Sequence, residues 1–495
     1  MKYNNPVILS DYSDPDVIRR GDNFYLVASS FNHTPGVPVL KSKNLVDWKI
    51  INYVFDKIPF ERFKDVCHGD GAWAPAIRYH KGLYYVIIPF PDEGVYVSST
   101  DDIEKGNWSK PWCLIEGKGI IDPCPIWHKD KCYLAVGFAK SRIGFNSCLG
   151  LYKVSCDLKE NISGDYKIIF DGHNTQPTIE GPKFYYRNNY FYIMAPAGSV
   201  KAGWQTCLRS KNVYGPYEEK IVMMQNDSSI NGPHQGALID LKNGEYAFIH
   251  FQDKKAYGRV VHLQPVKWCN DWPLCGRVND ELLGGTPVLE HDYLINKRTS
   301  YNIPVSDDFK GDKLSLIWQT PANKGSNWYE LDNGLKLNCV YHNDEAYNAL
   351  NKTPNLFLNK ISLYSFTVKS LCILNLKNEL DEAGLTYMGS EYAYICVRRI
   401  NGNNHLQLRK GQFNSNDEVI YDYIYNNQTI EFMMKYSGPN KYQLGFNGTY
   451  FKDVFTATPG RWIGGKYGIY AKGKEVGGHA LFQYFKVRKV KACEN

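Results

Sequence analysis

The feature that most constrains the fold is a pattern that recurs five times in the first 280 residues. The copies share a charged turn, then an aromatic pair or a single aromatic, then aliphatic residues. The copies lie about 50 to 60 residues apart, at 20–26, 80–86, 128–134, 187–193 and 242–248. Each has the form of a hairpin turn leading into a β-strand. Regular recurrence at this period indicates a chain built from repeated structural units.

Four-stranded units repeated five times predict a five-bladed β-propeller. A second, weaker element supports four strands per unit, since it follows the aromatic pair at 42–48, 99–103, 155–158 and 210–213. The 37 Tyr, 23 Phe and 11 Trp also suit an all-β fold. These observations leave open a β-sandwich with Tyr-rich strands.

The register of the repeat identifies candidate functional residues. An unusual side chain lies eleven or twelve residues before a repeated aromatic in each copy: Asp14, Trp73, Asp122, Glu180 and His234. The innermost strands of propeller blades run along the central axis, so equivalent positions converge on one small region. Three carboxyls, an aromatic ring and a histidine are therefore expected to meet there.

Carboxyls in such a group perturb one another, so that one is held protonated while another stays ionised. Hydrolysis of a glycosidic bond requires that combination. Trp73 and Phe31 are candidate surfaces for stacking a sugar ring, although either could instead belong to the core. The alternative for Asp14 and Asp122, which both precede proline, is that they cap turns.

Composition excludes several function classes. The net charge is +7, but the charges are interspersed, and the only basic cluster (Lys486, Arg488, Lys489, Lys491) alternates with apolar residues as in a terminal strand. We therefore expect no nucleic-acid partner. No apolar stretch has the length of a membrane helix or a signal segment, so we expect no membrane association. Thirteen scattered Cys without metal-ligand spacing indicate reduced thiols and a cytoplasmic location.

The sequence resembles glycoside hydrolase family 43. The resemblance rests on several short motifs in order along residues 6–290, including Asp14-Pro15-Asp16, Trp73-Ala74-Pro75, Ile121-Asp122-Pro123, Glu180-Gly181-Pro182 and Gly232-Pro233-His234. It implies a five-bladed propeller and an inverting, single-displacement reaction.

The resemblance also implies roles for the three acids. Asp14 would be the general base, Glu180 the general acid, and Asp122 the residue that orients the acid and modulates its pKa. Inversion leaves room for a water molecule, with roughly 6.5–9.5 Å between the carboxyls. Asp11 and Asp16 compete with Asp14 for the role of base, and the register favours Asp14.

Four further residues are candidates for contact with substrate or metal. The resemblance implies that Phe31 and Trp73 form the walls of the sugar subsite and that Arg259 contacts substrate hydroxyls near Asp122. It places His234 near a central calcium ion or water cluster, as an outer contact of the ion. No cofactor is required for the chemistry. The alternatives are a surface ion pair for Arg259 and a structural histidine satisfied by backbone carbonyls for His234.

The second half of the chain predicts a β-sandwich. Short alternating runs continue from Ser306-Asp307-Asp308-Phe309 to 482–487, and they resemble the C-terminal sandwich of longer family members. We expect a propeller domain at 1–298 and a sandwich domain at 299–495. The sandwich either covers the mouth of the pocket or binds sugar independently.

Together these observations predict an inverting exo-glycosidase that removes terminal β-1,4-xylosyl residues from xylo-oligosaccharides. An α-L-arabinofuranosidase or a bifunctional enzyme is the alternative, because Lys183 stands where the xylosidase branch commonly has histidine. A non-catalytic sugar-binding propeller and a metal-centred structural propeller are the alternatives from other classes. The expected partner is a small oligosaccharide, and a homo-oligomer is left open.

Overall fold

The computed structural model describes residues 1–279, 281–340 and 343–490, and the regular secondary structure in these ranges is almost entirely β-strand. The α-helices there are single turns: α1 (Lys140–Ile143), α2 (Ser199–Ala202) and α3 (Asp344–Asn348). Short 3₁₀ turns lie at Glu61–Lys64, Lys255–Tyr257 and Leu350–Lys352. No helix in the described ranges is long and apolar enough to cross a membrane.

The first half contains five antiparallel sheets, each with four strands that are consecutive in the sequence. We call these sheets blades 1 to 5. In chain order the strands are β1 (Lys2–Asn4); β2 (Asp16–Arg20), β3 (Asn23–Val27), β4 (Gly36–Ser42) and β5 (Trp48–Phe55) in blade 1; β6 (Ala76–His80), β7 (Leu83–Phe90), β8 (Gly94–Thr100) and β9 (Trp112–Glu116) in blade 2; β10 (Ile120–His128), β11 (Lys131–Phe138), β12 (Cys148–Val154) and β13 (Lys167–Asp171) in blade 3; β14 (Lys183–Arg187), β15 (Tyr190–Ala197), β16 (Trp204–Ser210) and β17 (Glu218–Met223) in blade 4; and β18 (His234–Asp240), β19 (Tyr246–Asp253), β20 (Arg259–Cys269) and β21 (Trp272–Cys275) in blade 5. The short strands β22 (Arg277–Val278) and β23 (Gly285–Thr286) extend blade 4, and β24 (Glu290–Asp292) pairs with β1.

The five blades form a closed ring. The first strands contact one another in the cyclic order β2, β6, β10, β14, β18 and back to β2. A separate hydrophobic cluster fills each space between neighbouring blades, including the space between blades 5 and 1. The propeller predicted from the repeat is confirmed.

The repeated aromatic pair is explained by this packing. Adjacent residues of a strand point to opposite faces of the sheet. Phe24 accordingly packs in the cluster between blades 5 and 1, while Tyr25 packs in the cluster between blades 1 and 2. In blade 4, Phe191 and Tyr192 divide between the two neighbouring clusters in the same way. In these two blades an aromatic pair therefore packs the blade against both neighbours; in blade 3 the same two positions are Cys132 and Tyr133.

The second half is a β-sandwich, as predicted. Its strands are β25 (Tyr329–Leu331), β26 (Leu335–Asn338), β27 (Leu356–Lys360), β28 (Phe366–Asn375), β29 (Glu382–Met388), β30 (Glu391–Ile400), β31 (Asn403–Gln412), β32 (Glu418–Ile424), β33 (Thr429–Ser437), β34 (Lys441–Phe446), β35 (Thr449–Tyr450), β36 (Phe455–Thr456), β37 (Lys466–Lys472), β38 (His479–Phe482) and β39 (Lys486–Lys489). One sheet has the order β27-β37-β29-β30-β31-β32, and the other is built on β25-β26-β38-β28-β33-β34-β35. A single large hydrophobic cluster lies between them.

The two halves are joined by hydrogen bonds as well as by the chain. The segment 319–323 runs beside blade 1, where Thr34 and Thr320 form a β-bridge and Gln319 Nε2 donates to Pro35 O at 2.9 Å. Ala256 and Tyr257 of the propeller belong to the hydrophobic cluster of the sandwich. The limits 1–298 and 299–495 stay a prediction.

Two predictions concern the end of the chain. The basic run at the C-terminus forms the strand β39, which pairs with β28, as its alternating pattern predicts. Lys491 and Cys493 lie outside the described residues. The twelve cysteines in the described ranges are free thiols.

Candidate active site

The five residues of equivalent register lie together at one end of the propeller axis. Each precedes or begins the first strand of its blade: Asp14 before β2, Trp73 before β6, Asp122 within β10, Glu180 before β14 and His234 at the start of β18. Because β2, β6, β10, β14 and β18 form the inner ring, these positions converge as the register predicts.

An irregular backbone turns these side chains toward the axis. Asp14 and Asp122 both have left-handed backbone, with φ of 56° and 55°. The pairing of β10 with β11 shifts register on either side of Asp122, which is the mark of a β-bulge. Non-glycine residues with such backbone are strained and cluster at functional sites.

The same irregularity removes Asp16 from the site. Asp16 is fully buried between blades 1 and 2, where its carboxylate accepts the Ile77 N–H at 2.9 Å and pairs with Arg78 at 2.6 Å. Asp16 is therefore a structural residue, and the choice of Asp14 over Asp16 agrees with the geometry. Asp11 is also buried, and its Oδ1 accepts the backbone N–H of Arg259 at 3.0 Å.

Asp14 is held by two donors. Ser29 donates its hydroxyl to Asp14 Oδ2 at 2.5 Å, and Arg259 Nη1 donates to Asp14 Oδ1 at 3.0 Å. The Arg259 side chain is only 13% exposed, which rules out a surface ion pair. The contact with the guanidinium is a charge-assisted hydrogen bond, which fixes the position of the carboxyl. Ser29 was missed by sequence reasoning, because a lone serine in a turn carries no distinguishing pattern.

Asp122 lies in a different environment. Its side chain is buried, and Oδ2 accepts the Gly181 N–H at 2.8 Å, which ties it to the residue after Glu180. Burial raises the pKa of Asp122 to about 7, with further contributions from the charges of Glu180 and Asp14. Lys183 and the Gly181 N–H oppose this shift. Burial and the neighbouring acids therefore favour the protonated form of Asp122 more than in a solvent-exposed aspartate.

Glu180 is the most accessible of the three carboxyls, with 36% of its side chain exposed. Its Oε1 lies 3.1 Å from Nε2 of His234, which is itself buried. His234 Nδ1 has no hydrogen-bond partner among the described residues. The alternative that backbone carbonyls satisfy this histidine is wrong, because its side-chain hydrogen bond is with the accessible acid.

The candidate aromatic side chains lie next to each other. The rings of Phe31 and Trp73 lie 6.2 Å apart, and Trp73 Nε1 donates to Gly69 O at 2.9 Å. Arg142, from α1 of blade 3, lies 5.1 Å from the centre of the Trp73 ring. Trp462, from the sandwich, packs edge-on against Trp73 at 6.4 Å and stays half exposed. Trp462 could not be predicted as a site residue, because it lies outside the repeat that relates the other candidates to the propeller axis.

Comparison with known families shows which family this chain belongs to. The family described as "Glycosyl hydrolases family 43" matches residues 3–273, which is more than half of the chain. The chain belongs to glycosyl hydrolase family 43. A second match, to the "Beta xylosidase C-terminal Concanavalin A-like domain", covers residues 306–488. The chemistry of family 43 requires no cofactor.

Relatives within family 43 have two kinds of name. A protein of Xylanibacter ruminicola called a putative beta-xylosidase is 39% identical over 65% of this chain and 59% of its own length. A beta-xylosidase of Formosa agariphila is 29% identical over 70% of this chain and 63% of its own length. A non-reducing end alpha-L-arabinofuranosidase of Bacteroides ovatus is 27% identical over 95% of this chain and 91% of its own length. The chain thus spans about three fifths of the first two relatives.

Solved structures from family 43 share the whole architecture. A xylan beta-1,4-xylosidase from Bacillus halodurans superposes with a TM-score of 0.84, at 21% identity over 98% of this chain and all of that protein. A GH43B protein from Bacteroides ovatus superposes with a TM-score of 0.85, at 22% identity over 99% of this chain and all of that protein. At these identities the likeness establishes the fold.

The family 43 site contains no preformed metal cluster in the part of the chain that the structure describes. No group of three or more His, Cys, Asp or Glu side chains there could hold a metal ion. A cation near His234 would therefore need other ligands, such as water.

Proposed function

We propose that this chain is an inverting exo-β-xylosidase that removes terminal β-1,4-linked xylosyl residues from short xylo-oligosaccharides. The observation that carries the proposal is one group of three carboxyls in three environments. Asp14 is paired with a guanidinium, Asp122 is buried with a raised pKa, and Glu180 is accessible and beside a histidine. Family membership and the names of the relatives support the reaction class.

The proposed mechanism uses Asp14 as the general base. A water molecule between Asp14 and the sugar loses a proton to the Asp14 carboxylate, and its oxygen forms a bond to the anomeric carbon. The glycosidic bond breaks on the opposite face, so the anomeric configuration inverts. Arg259 and Ser29 fix the orientation of the base through its two oxygens.

Glu180 is the proposed general acid, because its carboxyl is the one that a leaving group can reach. It gives its proton to the departing glycosidic oxygen. Asp122 orients this acid through the Gly181 N–H, and an ionised Asp122 disfavours a second negative charge nearby. His234 holds Glu180 Oε1 from the other side.

The sandwich is proposed to close the pocket and restrict it to chain ends. Trp462 packs against Trp73, so the sugar subsite would be bordered by both domains. A pocket closed in this way suits short oligosaccharides rather than polymeric xylan. We propose that the protein acts on such fragments in the cytoplasm, which fractionation of cells followed by detection of the protein would test.

An α-L-arabinofuranosidase is the second candidate. It is favoured by the Bacteroides ovatus arabinofuranosidase, which matches 95% of this chain, a larger share than the first two xylosidase relatives match. Both sugars are pentoses, so the same three carboxyls could act on either.

Assays on purified protein separate these candidates. We expect turnover of p-nitrophenyl β-D-xyloside and xylobiose to exceed turnover of p-nitrophenyl α-L-arabinofuranoside. Proton NMR during xylobiose hydrolysis should show α-xylose released first from the non-reducing end. Faster arabinofuranoside turnover would favour the second candidate, and sugar binding with no turnover of any glycoside would favour a binding protein.

Calcium is proposed only as an activating or structural ion at the axis. The unpartnered Nδ1 of buried His234 could contact such an ion through a water molecule. Ca²⁺ takes mostly oxygen ligands, so it would keep most of its hydration shell. We expect EDTA treatment to lower thermal stability or kcat and added Ca²⁺ to restore it. Unchanged activity and stability would remove calcium from the proposal.

A further inference from the structure

Two lysines of the sandwich face the propeller from directly paired positions. Lys360 ends β27 and lies opposite Lys466, the first residue of β37. Like charges at opposite positions of a sheet repel each other. Burial and the charge of Lys466 lower the pKa of Lys360 to about 7, while the nearby Asp11 carboxylate acts in the other direction. A lysine kept in such an unfavourable place is a candidate for a specific role.

Lys360 contacts the segment that carries the proposed base. Its Nζ donates to the backbone carbonyl of Asp11 at 2.6 Å and lies 3.9 Å from the centre of the Tyr12 ring. Asp11 and Tyr12 are both buried, so these contacts are shielded from water. Asp11 and Tyr12 lie three and two residues before Asp14, so Lys360 contacts the loop that carries the proposed base.

A second connection runs through side chains. The Asp11 carboxylate accepts the backbone N–H of Arg259 at 3.0 Å, and the Arg259 guanidinium donates to Asp14 at 3.0 Å. Ser13 donates its hydroxyl to the same Asp11 oxygen at 3.1 Å. Asp11 therefore links the lysine of one domain to the arginine that orients the base in the other.

The segment needs support from outside its own blade. Between β1, which ends at Asn4, and β2, which begins at Asp16, the only β-pairing among the described residues is the bridge of Ile8 with Val261. Asp14 thus stands on a loop, with left-handed backbone. The sandwich also packs closely here, since a side chain added at Gly464 would lie 2.8 Å from the Gly258 nitrogen.

We propose that Lys360 is a positioning residue: the sandwich uses it to hold Asp11 and Tyr12, and thereby aligns Arg259 and Asp14 for water activation. This inference rests on the proposed function, because it takes Asp14 as the base. It gives the sandwich a part in the chemical step, beyond covering the pocket.

The test is Lys360→Met in the full chain, assayed on p-nitrophenyl β-D-xyloside. We expect kcat to fall by about 10- to 100-fold with KM changed less than about 3-fold, because small misplacement of a catalytic group slows the reaction more than it weakens binding. Lys360→Arg keeps the charge and the donor, so it should recover most of kcat. Lys360→Gln, a smaller polar change, provides the same comparison should the methionine variant fail to fold.

Lys472→Met is the matched control. Lys472 is a buried lysine at the end of β37. Like Lys360 it donates to a backbone carbonyl, but its acceptor, Ala346 O at 3.1 Å, lies within the sandwich. We expect this variant to lose thermal stability and keep the kcat of the parent protein. Unchanged kcat in Lys360→Met, or an equal loss of kcat in both variants, would overturn the proposal.

The two hypotheses fail in different ways. Asp14→Asn with undiminished turnover would overturn the assignment of the base, and the positioning role with it. An inactive Asp14→Asn beside a fully active Lys360→Met would overturn only the positioning role.

Discussion

The carboxyls of Asp14, Asp122 and Glu180 have nearly the same intrinsic acidity, but neighbouring residues give each of them different properties. A guanidinium and a hydroxyl bind Asp14, while Asp122 is removed from water and placed beside two other acids. Glu180 keeps access to solvent. Environment rather than residue type thus separates a candidate base from a candidate acid, as general acid–base chemistry requires.

The roles of Glu180 and Asp14 can be distinguished by the leaving group. A phenol of low pKa departs without protonation, whereas the hydroxyl of a second xylose needs a proton. We expect Glu180→Gln to lose about 10³-fold in kcat on xylobiose but much less on an aryl xyloside with an acidic phenol. Asp14→Asn should lose about the same factor on both substrates. Parallel losses in the two variants would contradict the assignment of the acid.

The raised pKa of Asp122 should make the stability of the parent protein depend on pH in a way that Asp122→Asn does not share. Its pKa in the folded protein is raised to about 7, so the folded state binds a proton more tightly than the unfolded state does. The free energy of unfolding therefore falls as pH rises from about 4 to about 7. Asn cannot ionise, so Asp122→Asn should gain thermal stability over the parent protein as pH rises from 5 to 8. Melting curves with a constant difference across this range would contradict the shift.

The catalytic candidates could be predicted from the sequence, but their supporting residues could not. Repeat register identified Asp14, Asp122 and Glu180 because each blade places the same position at the axis. The resemblance placed Arg259 near Asp122, and its hydrogen bond in the structure is to Asp14. Trp462 and Lys360 come from a domain whose docking depends on three-dimensional contacts that leave no periodic pattern.

At the scale of elements, an arginine joins three blades at their inner strands. Arg78 of β6 binds Asp16 of β2 at 2.6 Å and lies 2.7 Å from the Cys124 sulfur of β10. Breaking a buried ion pair leaves an uncompensated charge, so Arg78→Met should cost about 3–5 kcal/mol. Chemical denaturation measures this loss.

The control for Arg78 is an exposed ion pair of the same half. Lys2 pairs with Glu290 at 2.7 Å, and both side chains are largely exposed. Lys2→Met should lower the stability far less than Arg78→Met, because water solvates the exposed Glu290 carboxylate that is left behind. The double variant Arg78→Met/Asp16→Leu should recover part of the lost stability, because it no longer contains the buried, unpaired Asp16 carboxylate. An equal cost for Arg78→Met and Lys2→Met would contradict the role of the buried pair.

Trp462 lies on a loop of the sandwich, and we expect it to affect substrate binding separately from the chemical step. Trp462 packs edge-on against Trp73, whereas the hydrogen bonds of the three acids described above are made by other residues. We therefore expect Trp462→Ala to raise KM for xylobiose by about 10-fold, with kcat nearly unchanged, because an aromatic contact contributes about 0.5–1.5 kcal/mol. Trp462→Phe should keep most of the affinity. A fall in kcat at constant KM would contradict this assignment.

The strands of the propeller were easier to predict from the sequence than the irregular backbone that precedes or interrupts them. Charged turns and neighbouring aromatic residues marked the first hairpin of the blades, since those side chains pack between neighbouring blades. The left-handed backbone of Asp14 and Asp122 was not predictable, because neither residue type requires it and both precede proline as ordinary turn residues do.

The whole molecule behaves as two domains with one continuous set of contacts. Asn323 of the sandwich binds Ile58 of the propeller through both amide atoms, each at 2.8 Å, and its backbone N–H donates to Phe63 O at 2.7 Å. The sandwich cluster includes propeller residues. Such an interface couples the unfolding of the two halves.

We therefore expect a single calorimetric transition, with the calorimetric and van't Hoff enthalpies nearly equal. Asn323→Ala leaves the buried N–H and C=O of Ile58 unpaired, at a cost of about 1–3 kcal/mol for each group, and should lower the midpoint without dividing the transition. Asn338→Ala, which removes a hydrogen bond within the sandwich to Asn327 O, should shift the midpoint less. Two resolved transitions in the parent protein would show that the domains unfold independently. In that case the sandwich could not hold the loop of Asp14 in place once heating had released it, and activity should be lost at the first transition.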